Sequence, residues 1–316
     1  MKMIKNISKY AISLLLFVSS VTASYGQQDP MYSQYMFNIQ AFNPAYAGTW
    51  KSIGLMALGR YQWVGFDGYP QTQTFTIQAP LRKENIGLGL SVISDKIGQE
   101  DRFAVFSDYS YRLILDDGVY LRFGLKAGFT NYQNNLSNYQ LYVPNGGHDP
   151  AFDGTIDKKF MPNFGIGAFL SSERYYMGFS LPKILQNDFE NSVVNYATNY
   201  ELRHWTLIGG YVFDLGQAVK FKPSFITRYV AGSPIVADLN ASFLIKDKFW
   251  IGVMGRSAGA FGFNMQFIID KKLRLGYAFD YDLSNSLRSN NDGTHEIMVS
   301  YELNFVKTRY TSPRYF

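Results

Sequence analysis

Hydrophobic and polar residues trade places at every second position over most of this chain. The alternation is least diluted near the C-terminus, where Leu273, Leu275, Tyr277, Phe279 and Tyr281 alternate with Lys272, Arg274, Gly276, Ala278, Asp280 and Asp282. Ile297, Val299, Tyr301, Leu303 and Phe305 alternate in the same way with Glu296, Met298, Ser300, Glu302 and Asn304. A period of two belongs to a strand, whose successive side chains face opposite sides, so each segment has one apolar and one polar face. A soluble sandwich gives the same pattern, but two features favour a membrane barrel. The segments run to about ten residues, whereas soluble strands average about five or six. Their polar faces also carry Gly, Ser and Thr beside the charges, which suits a crowded interior.

The pattern therefore predicts an all-β chain, an antiparallel transmembrane β-barrel of the outer-membrane kind. Fourteen strands are expected at 52–62, 70–79, 86–94, 101–114, 118–131, 161–170, 174–181, 201–213, 219–230, 235–246, 248–256, 260–269, 272–282 and 294–306. Twelve or sixteen stay open, because 161–181 and 248–269 can each be divided differently. Every second connection is tight, while the first, third, fifth, seventh and thirteenth are longer, above all 132–160 and 182–200, with the ninth and eleventh as short exceptions. Bacterial barrels keep short turns in the periplasm and long loops outside, which would put both termini on the periplasmic side. Tyr61, Tyr111, Tyr229 and Tyr281 at strand ends fit an interfacial aromatic girdle.

The flanks divide the rest. Residues 1–26 read as a cleaved secretory leader, with Lys2, Lys5 and Lys9 before an apolar run from Ala11 to Val21 and small residues at Ser24 and Gly26. That run is too short for a spanning helix, which needs about 20 apolar residues. An N-terminal segment, 27–50, precedes the barrel at 51–306, and a tail, 307–316, follows it, either frayed or docked in the periplasm. The 24 Tyr, 26 Phe and 28 Gly, with a mean hydropathy of only −0.14, match a lipid-facing wall around a polar lumen.

Candidate chemistry changes the picture little. The absence of cysteine excludes disulfides, thiolate chemistry and a lipid-modified N-terminus. Removing the leader lowers the formal charge from +5 to +2, too little and too scattered for nucleic acid. His148, His204 and His295 are isolated from one another, so no metal site is expected of them. Asp149, Asp153 and Asp157 lack the spacing of a calcium-binding EF-hand loop. The GLGL run at 87–90 sits within a strand, where glycine relieves crowding or permits bending, and is no phosphate loop. No nucleophile motif appears, so neither a catalytic site nor a cofactor is expected. Arg122, Lys126, Arg228, Arg274, Asp280, Asp282, Glu296 and Glu302 fall on polar faces, as a channel lining or as internal ion pairs. Adjacency of the last two strands favours pairing of Glu296 and Glu302 with Arg274 and Lys272.

Residues 27–49 do not alternate. They are aromatic (Tyr32, Tyr35, Phe37, Phe42, Tyr46) and punctuated by Asp29-Pro30 and Asn43-Pro44. A mobile linker would be more polar, so this segment is expected to pack inside the barrel or on its periplasmic rim. Here Asp29, Pro30, Ser33, Gln34, Tyr35, Met36, Phe37 and Asn38, then Asn43, Pro44, Ala45, Tyr46, Ala47 and Gly48, spell D-P-x-x-S-Q-Y-M-F-N and N-P-A-Y-A-G. The two motifs resemble the start of the PorP/SprF family of type IX secretion outer-membrane proteins. The Asn-Pro-Ala step is also similar to one in fatty-acid-transporter-type barrels.

The family resemblance implies a non-enzymatic component of the type IX apparatus. It would act in secreting cargo proteins or attaching them to the cell surface, among them, in gliding bacteria, adhesins with a C-terminal sorting domain. Its implied partners are outer-membrane lipid, that cargo, and periplasmic or lipoprotein parts of the machinery. The resemblance supplies no cargo-binding residues. Transport of a hydrophobic small molecule and a general porin are the competing expectations.

Overall fold

The computed structural model describes residues 29–50, 52–65, 67–81, 85–138, 154–190, 197–270, 272–283, 292–303 and 315. The expected leader, His148, Asp149, Asp153 and most of the tail lie outside them.

Fourteen antiparallel strands close into one barrel. The first seven are β1 (Ile53–Tyr61), β2 (Gln71–Pro80), β3 (Ile86–Ile97), β4 (Glu100–Asp116), β5 (Val119–Asn135), β6 (Thr155–Ser171) and β7 (Tyr175–Leu181). A short hairpin, β8 (Asp188–Glu190) with β9 (Ala197–Tyr200), stands outside the wall in the connection that follows. The eighth wall strand is broken into β10 (Trp205–Tyr211) and β11 (Phe213–Asp214). The wall continues with β12 (Val219–Tyr229), β13 (Val236–Ile245), β14 (Phe249–Arg256), β15 (Ala260–Ile269), β16 (Leu273–Asp282) and β17 (Thr294–Leu303). Pairing of β1 with β17, from Ile53↔Leu303 to Tyr61↔His295, closes the cylinder. No helix among the described residues is long and apolar enough to cross a membrane; this chain crosses with strands.

The predicted faces point as the alternation requires. Leu125, Phe123, Leu275, Ile297 and Val299 are exposed on the outside, while Lys126, Arg122, Asp280 and Glu296 are buried inside. Tyr111 and Tyr229 face outward near strand ends.

Several expectations need correction. The third connection is not long: β3 and β4 are joined by Gly98 and Gln99 alone, and Gly98 adopts φ +58°, open to glycine at no steric cost. β5 and β6 run past the predicted ends, pairing Tyr132↔Lys158 to Asn135↔Thr155 beyond a bulge. That extension puts Asp157 in a strand opposite Gln133 and not in a loop. Among the described residues no group of three His, Cys, Asp or Glu is placed to hold a metal.

The turns β2–β3, β4–β5, β6–β7, β11–β12, β13–β14 and β15–β16 lie at one end, together with the start of β1 and the end of β17, while the short β3–β4 and β14–β15 connections lie at the other. The connections at 135–155, 181–205 and 282–294 lie at the other. These are called below the tight-turn and long-loop ends.

Candidate functional site

A barrel of this strand number is too wide for its own inward side chains to fill. Residues 29–50 occupy the space. Their aromatic side chains Tyr32, Tyr35, Phe37, Phe42, Tyr46 and Trp50 join Met36 and Ile39 in one buried cluster. The wall contributes Met56, Leu58, Phe169, Tyr176, Ile208, Ile226, Trp250 and Met298, all pointing inward. Burying one such side chain stabilises by about 1.5–3 kcal/mol. The order expected of this segment thus has a source in packing.

The segment threads the lumen from end to end. Asp29 lies at the long-loop end, 2.9 Å from Lys183 and 3.4 Å from His204, and Pro30 is beside it. Burial alone would raise the Asp29 carboxyl, but Lys183, then His204, outweigh it and hold the group well below the usual carboxylate range. Burial would likewise lower Lys183, yet Asp29 and Glu201 hold it above the ordinary lysine range. At the opposite end Thr49 reaches Gln78, and Trp50 sits on Gly54 just before β1 begins. Both termini were expected at the tight-turn end. The barrel does start and stop there, but Asp29 is at the other mouth.

Between these ends each motif residue has a defined place. Ser33 donates from Oγ to Asp280 at 2.6 Å and accepts from Arg60 at 2.7 Å. The backbone N–H groups of Ser33 and Gln34 donate to the two oxygens of Glu296, at 2.9 and 2.8 Å. Tyr35 is fully buried with its hydroxyl 3.4 Å from Ser224. Phe37 and Trp250 flank the ammonium of Lys222, at 4.7 and 4.6 Å from the ring centres. Asn38 is buried at the start of the one-turn helix α1 (Ile39–Phe42). Gln40 donates to Asp108 at 3.2 Å.

The N-P-A-Y-A-G step makes a second fixed point. Asn43 Oδ1 accepts from Ala45 N at 2.9 Å, capping a 3₁₀ turn, Pro44–Tyr46, that proline opens as its fixed φ allows. Asn43 Nδ2 donates across to the Ala168 carbonyl on β6 at 2.9 Å. Ala45 is packed so tightly on Gly124 of β5 that a Cβ there would fall 2.1 Å from its nitrogen. Tyr46 meets Phe169 edge-on at 5.4 Å. The Ala47 carbonyl accepts from Ser110 at 2.6 Å. Gly48, at φ +70°, presses on Gly87, the first glycine of the GLGL run.

The ion pairs differ in part from those expected. Glu296 is taken by Arg60 on β1 at 3.3 Å, and Arg60 also holds Asp280 at 3.1 Å. Asp238 holds Arg256 at 2.9 Å and Arg228 at 3.3 Å. Arg274 lies over the Trp50 ring at 5.5 Å within electrostatic range of Glu302, as expected, and Glu302 also accepts from Ser52 at 2.6 Å. The physical reason is barrel closure: Arg60 lies directly opposite Glu296 where β1 meets β17, Asp238 lies opposite Arg256 on β14 and beside Arg228 on β12, and Arg60–Asp280 steps over one strand. Three arginines and three carboxylates thus balance in one buried patch, and the Ser-Gln dipeptide is bound into it.

Sequence reasoning missed Arg60, Arg256, Asp238, Lys222 and Lys183 as partners of the segment. One signal was present: on β1 both Leu55 and Met56, and both Ala57 and Leu58, are apolar. A strand apolar on both faces needs an apolar neighbour inside the barrel.

Fold and site together define a transmembrane β-barrel whose lumen is filled by its own N-terminal segment. The family model described as type IX secretion system membrane protein PorP/SprF matches residues 24–301, and the chain belongs to that family. A barrel of such a secretion family is an outer-membrane protein. Solved structures share the architecture at low identity. The toluene transporter TodX of P. putida is 11% identical, with 84% of this chain and 93% of that chain covered at a TM-score of 0.50. A Pseudomonas aeruginosa FadL homologue is 11% identical (88% and 96% covered, TM-score 0.47), and Omp33 of Acinetobacter baumannii is 10% identical (80% and 98%, TM-score 0.45). No curated protein matches the chain by sequence.

Proposed function

We propose that this protein is a closed, non-enzymatic anchor of the type IX apparatus, acting in secretion of cargo proteins or their retention at the cell surface. The observation that carries this reading is the filled lumen: residues 29–50 hydrogen-bond or pack against strands all round the barrel, in the space a porin would leave to water. A barrel that conducts nothing acts through its surfaces. The connections at the long-loop end would face the cell exterior and receive a cargo domain, such as the C-terminal sorting domain of an adhesin. The tight-turn end, with the tail, would face periplasmic or lipoprotein parts of the machinery, and the apolar outer wall would face outer-membrane lipid.

The test is affinity capture of the tagged protein from native membranes, followed by mass spectrometry. Recovery of a secreted protein bearing a sorting domain, or of other type IX components, is expected. A clean monomer, with loss of small-solute uptake when the gene is deleted, would overturn the reading. The competing transport of a hydrophobic small molecule draws on the fold shared with TodX. Against it stand the buried charges Arg60, Arg256, Asp238 and Asp280 along the lumen.

A further inference from the structure

Near the tight-turn mouth lies a buried cation that the lumen segment does not satisfy by itself. Lys222, on β12, is fully buried, with its ammonium 4.7 and 4.6 Å from the ring centres of Phe37 and Trp250. Ring faces attract a cation, but an ammonium also carries three N–H donors. Among the described residues no carboxylate pairs with it, and the ionised group close enough to act on it is Arg274, of like sign. Its hydrogen bond goes to the backbone carbonyl of Tyr315, at 2.7 Å. A buried charge without a hydrogen-bonding partner is costly, so this mouth needs such an acceptor.

Tyr315 is the one residue of the tail among those described. It packs against the buried cluster that contains Phe37, Tyr46, Trp50 and Trp250. The ammonium of Lys220 stands over its ring at 5.1 Å, and Asp214 balances that charge at 2.9 Å. Between Tyr315, Trp50, Gln266 and Arg274 only about 10 Å³ stays empty, room for one water at most. The residue is thus held through its carbonyl, through its ring and by close fit.

The chain can deliver this residue to its own barrel. Tyr315 follows Leu303, the last residue of β17, by 12 positions. An extended chain of that length spans about 40 Å. Five strand spacings separate β17 from β12 in the wall, about 24 Å measured across the strands. The reach therefore exceeds the distance, and no second molecule is required.

We propose that the tight-turn mouth is a peptide-binding site filled in cis by the chain's own Tyr315. The ligand class is a stretch of polypeptide carrying an aromatic residue, its carbonyl on Lys222 and its ring under Lys220. Bound there, Tyr315 completes the packing against Phe37 and so ties the tail to the lumen segment. A partner that used this mouth would have to displace it. The inference concerns the chain's own tail and does not depend on what the capture experiment recovers.

The test is photo-cross-linking of the full-length mature protein in native membranes. Tyr315 is replaced by para-azidophenylalanine, which keeps the ring and the backbone carbonyl. Irradiation followed by peptide mass spectrometry is expected to find a bond within one chain, to a peptide that holds Phe37, Trp50, Trp250 or Gln266. Lys222→Met keeps the bulk and removes the donor. It is expected to lower the yield about tenfold, the worth of a hydrogen bond to a charged group. Folding of that variant is checked by heat-modifiable gel mobility. The first measurement alters nothing in the wall, so it stays decisive if Lys222→Met fails to fold. Cross-linking to a second copy of the chain, cross-linking to another protein, or no bond to the lumen residues overturns the proposal. An unchanged yield in folded Lys222→Met overturns it as well.

Discussion

Ser33 and Glu296 are 263 positions apart, and the backbone N–H of the first donates to the carboxylate of the second at 2.9 Å. The N–H of Gln34 takes the other oxygen at 2.8 Å, so one carboxylate holds two successive amides of the segment. Arg60 approaches the same group at 3.3 Å. Charge-assisted bonds of this kind are about twice as strong as neutral ones, and here they are out of water.

Glu296→Gln keeps the shape and removes the charge. It leaves one buried amide with a donor facing it and Arg60 short of one counter-charge. Breaking a buried pair from one side costs about 3–5 kcal/mol. A lowered midpoint in urea unfolding of the detergent-solubilised barrel checks this, with Glu296→Asp expected between the two.

The close approach of Ala45 to Gly124 gives a steric prediction. A side chain at 124 cannot fit unless the segment moves, because even its Cβ would lie 2.1 Å from the Ala45 nitrogen. Gly124→Val is expected to loosen the segment and leave the wall closed. A cysteine at position 45 should then become reactive to a soluble maleimide, having been protected before. Gly255→Val is the control, since nothing lies within 4 Å of its Cβ position.

The Asp29–Lys183 clasp predicts a broad pH plateau. Asp29 has its carboxyl pKa depressed, so its contribution is complete above the ordinary value of 3.8 and is lost as pH falls through a lower folded value. Lys183 is raised, so its contribution is complete below 10.5 and is lost as pH rises beyond that. Both side chains are partly exposed, at 28% and 20%, which keeps the pair's worth small. A spin label at position 31 should keep constant mobility between these limits and loosen only in stronger acid or stronger base. Asp29→Asn should loosen it at neutral pH.

Threading makes a topological prediction. With the long-loop end outside the cell, Asp29→Cys should react with a membrane-impermeant thiol reagent on intact cells. Asp247→Cys, in the tight turn between β13 and β14, should react only after the outer membrane is opened. Labelling in the reverse order would invert the proposed orientation.

The wall was legible because lipid and lumen impose opposite demands on neighbouring residues, and Leu273–Asp282 records them one position at a time. Legibility failed where those demands stop. Tyr132–Asn135 and Thr155–Lys158 pair beyond the bulge in a stretch without alternation, so the extension of β5 and β6 left no trace in the pattern. The hairpin of β8 and β9 is too short for periodicity to register. The break in the eighth wall strand falls at Val212, whose N–H turns to the Arg174 carbonyl, a choice that no local motif announces. In the segment, composition revealed burial but not direction. Glu296 could be placed on an inward face, but its partners Ser33, Gln34 and Arg60 come from the far end of the chain, and only barrel closure brings them together.

The central claim is that residues 29–50 close the lumen, and ion conductance through single barrels in a planar lipid bilayer tests it most directly. The intact protein is expected to show no steady conductance, while Gly124→Val should admit intermittent openings as the segment shifts. A large, steady, ohmic conductance from the unaltered protein would contradict the account.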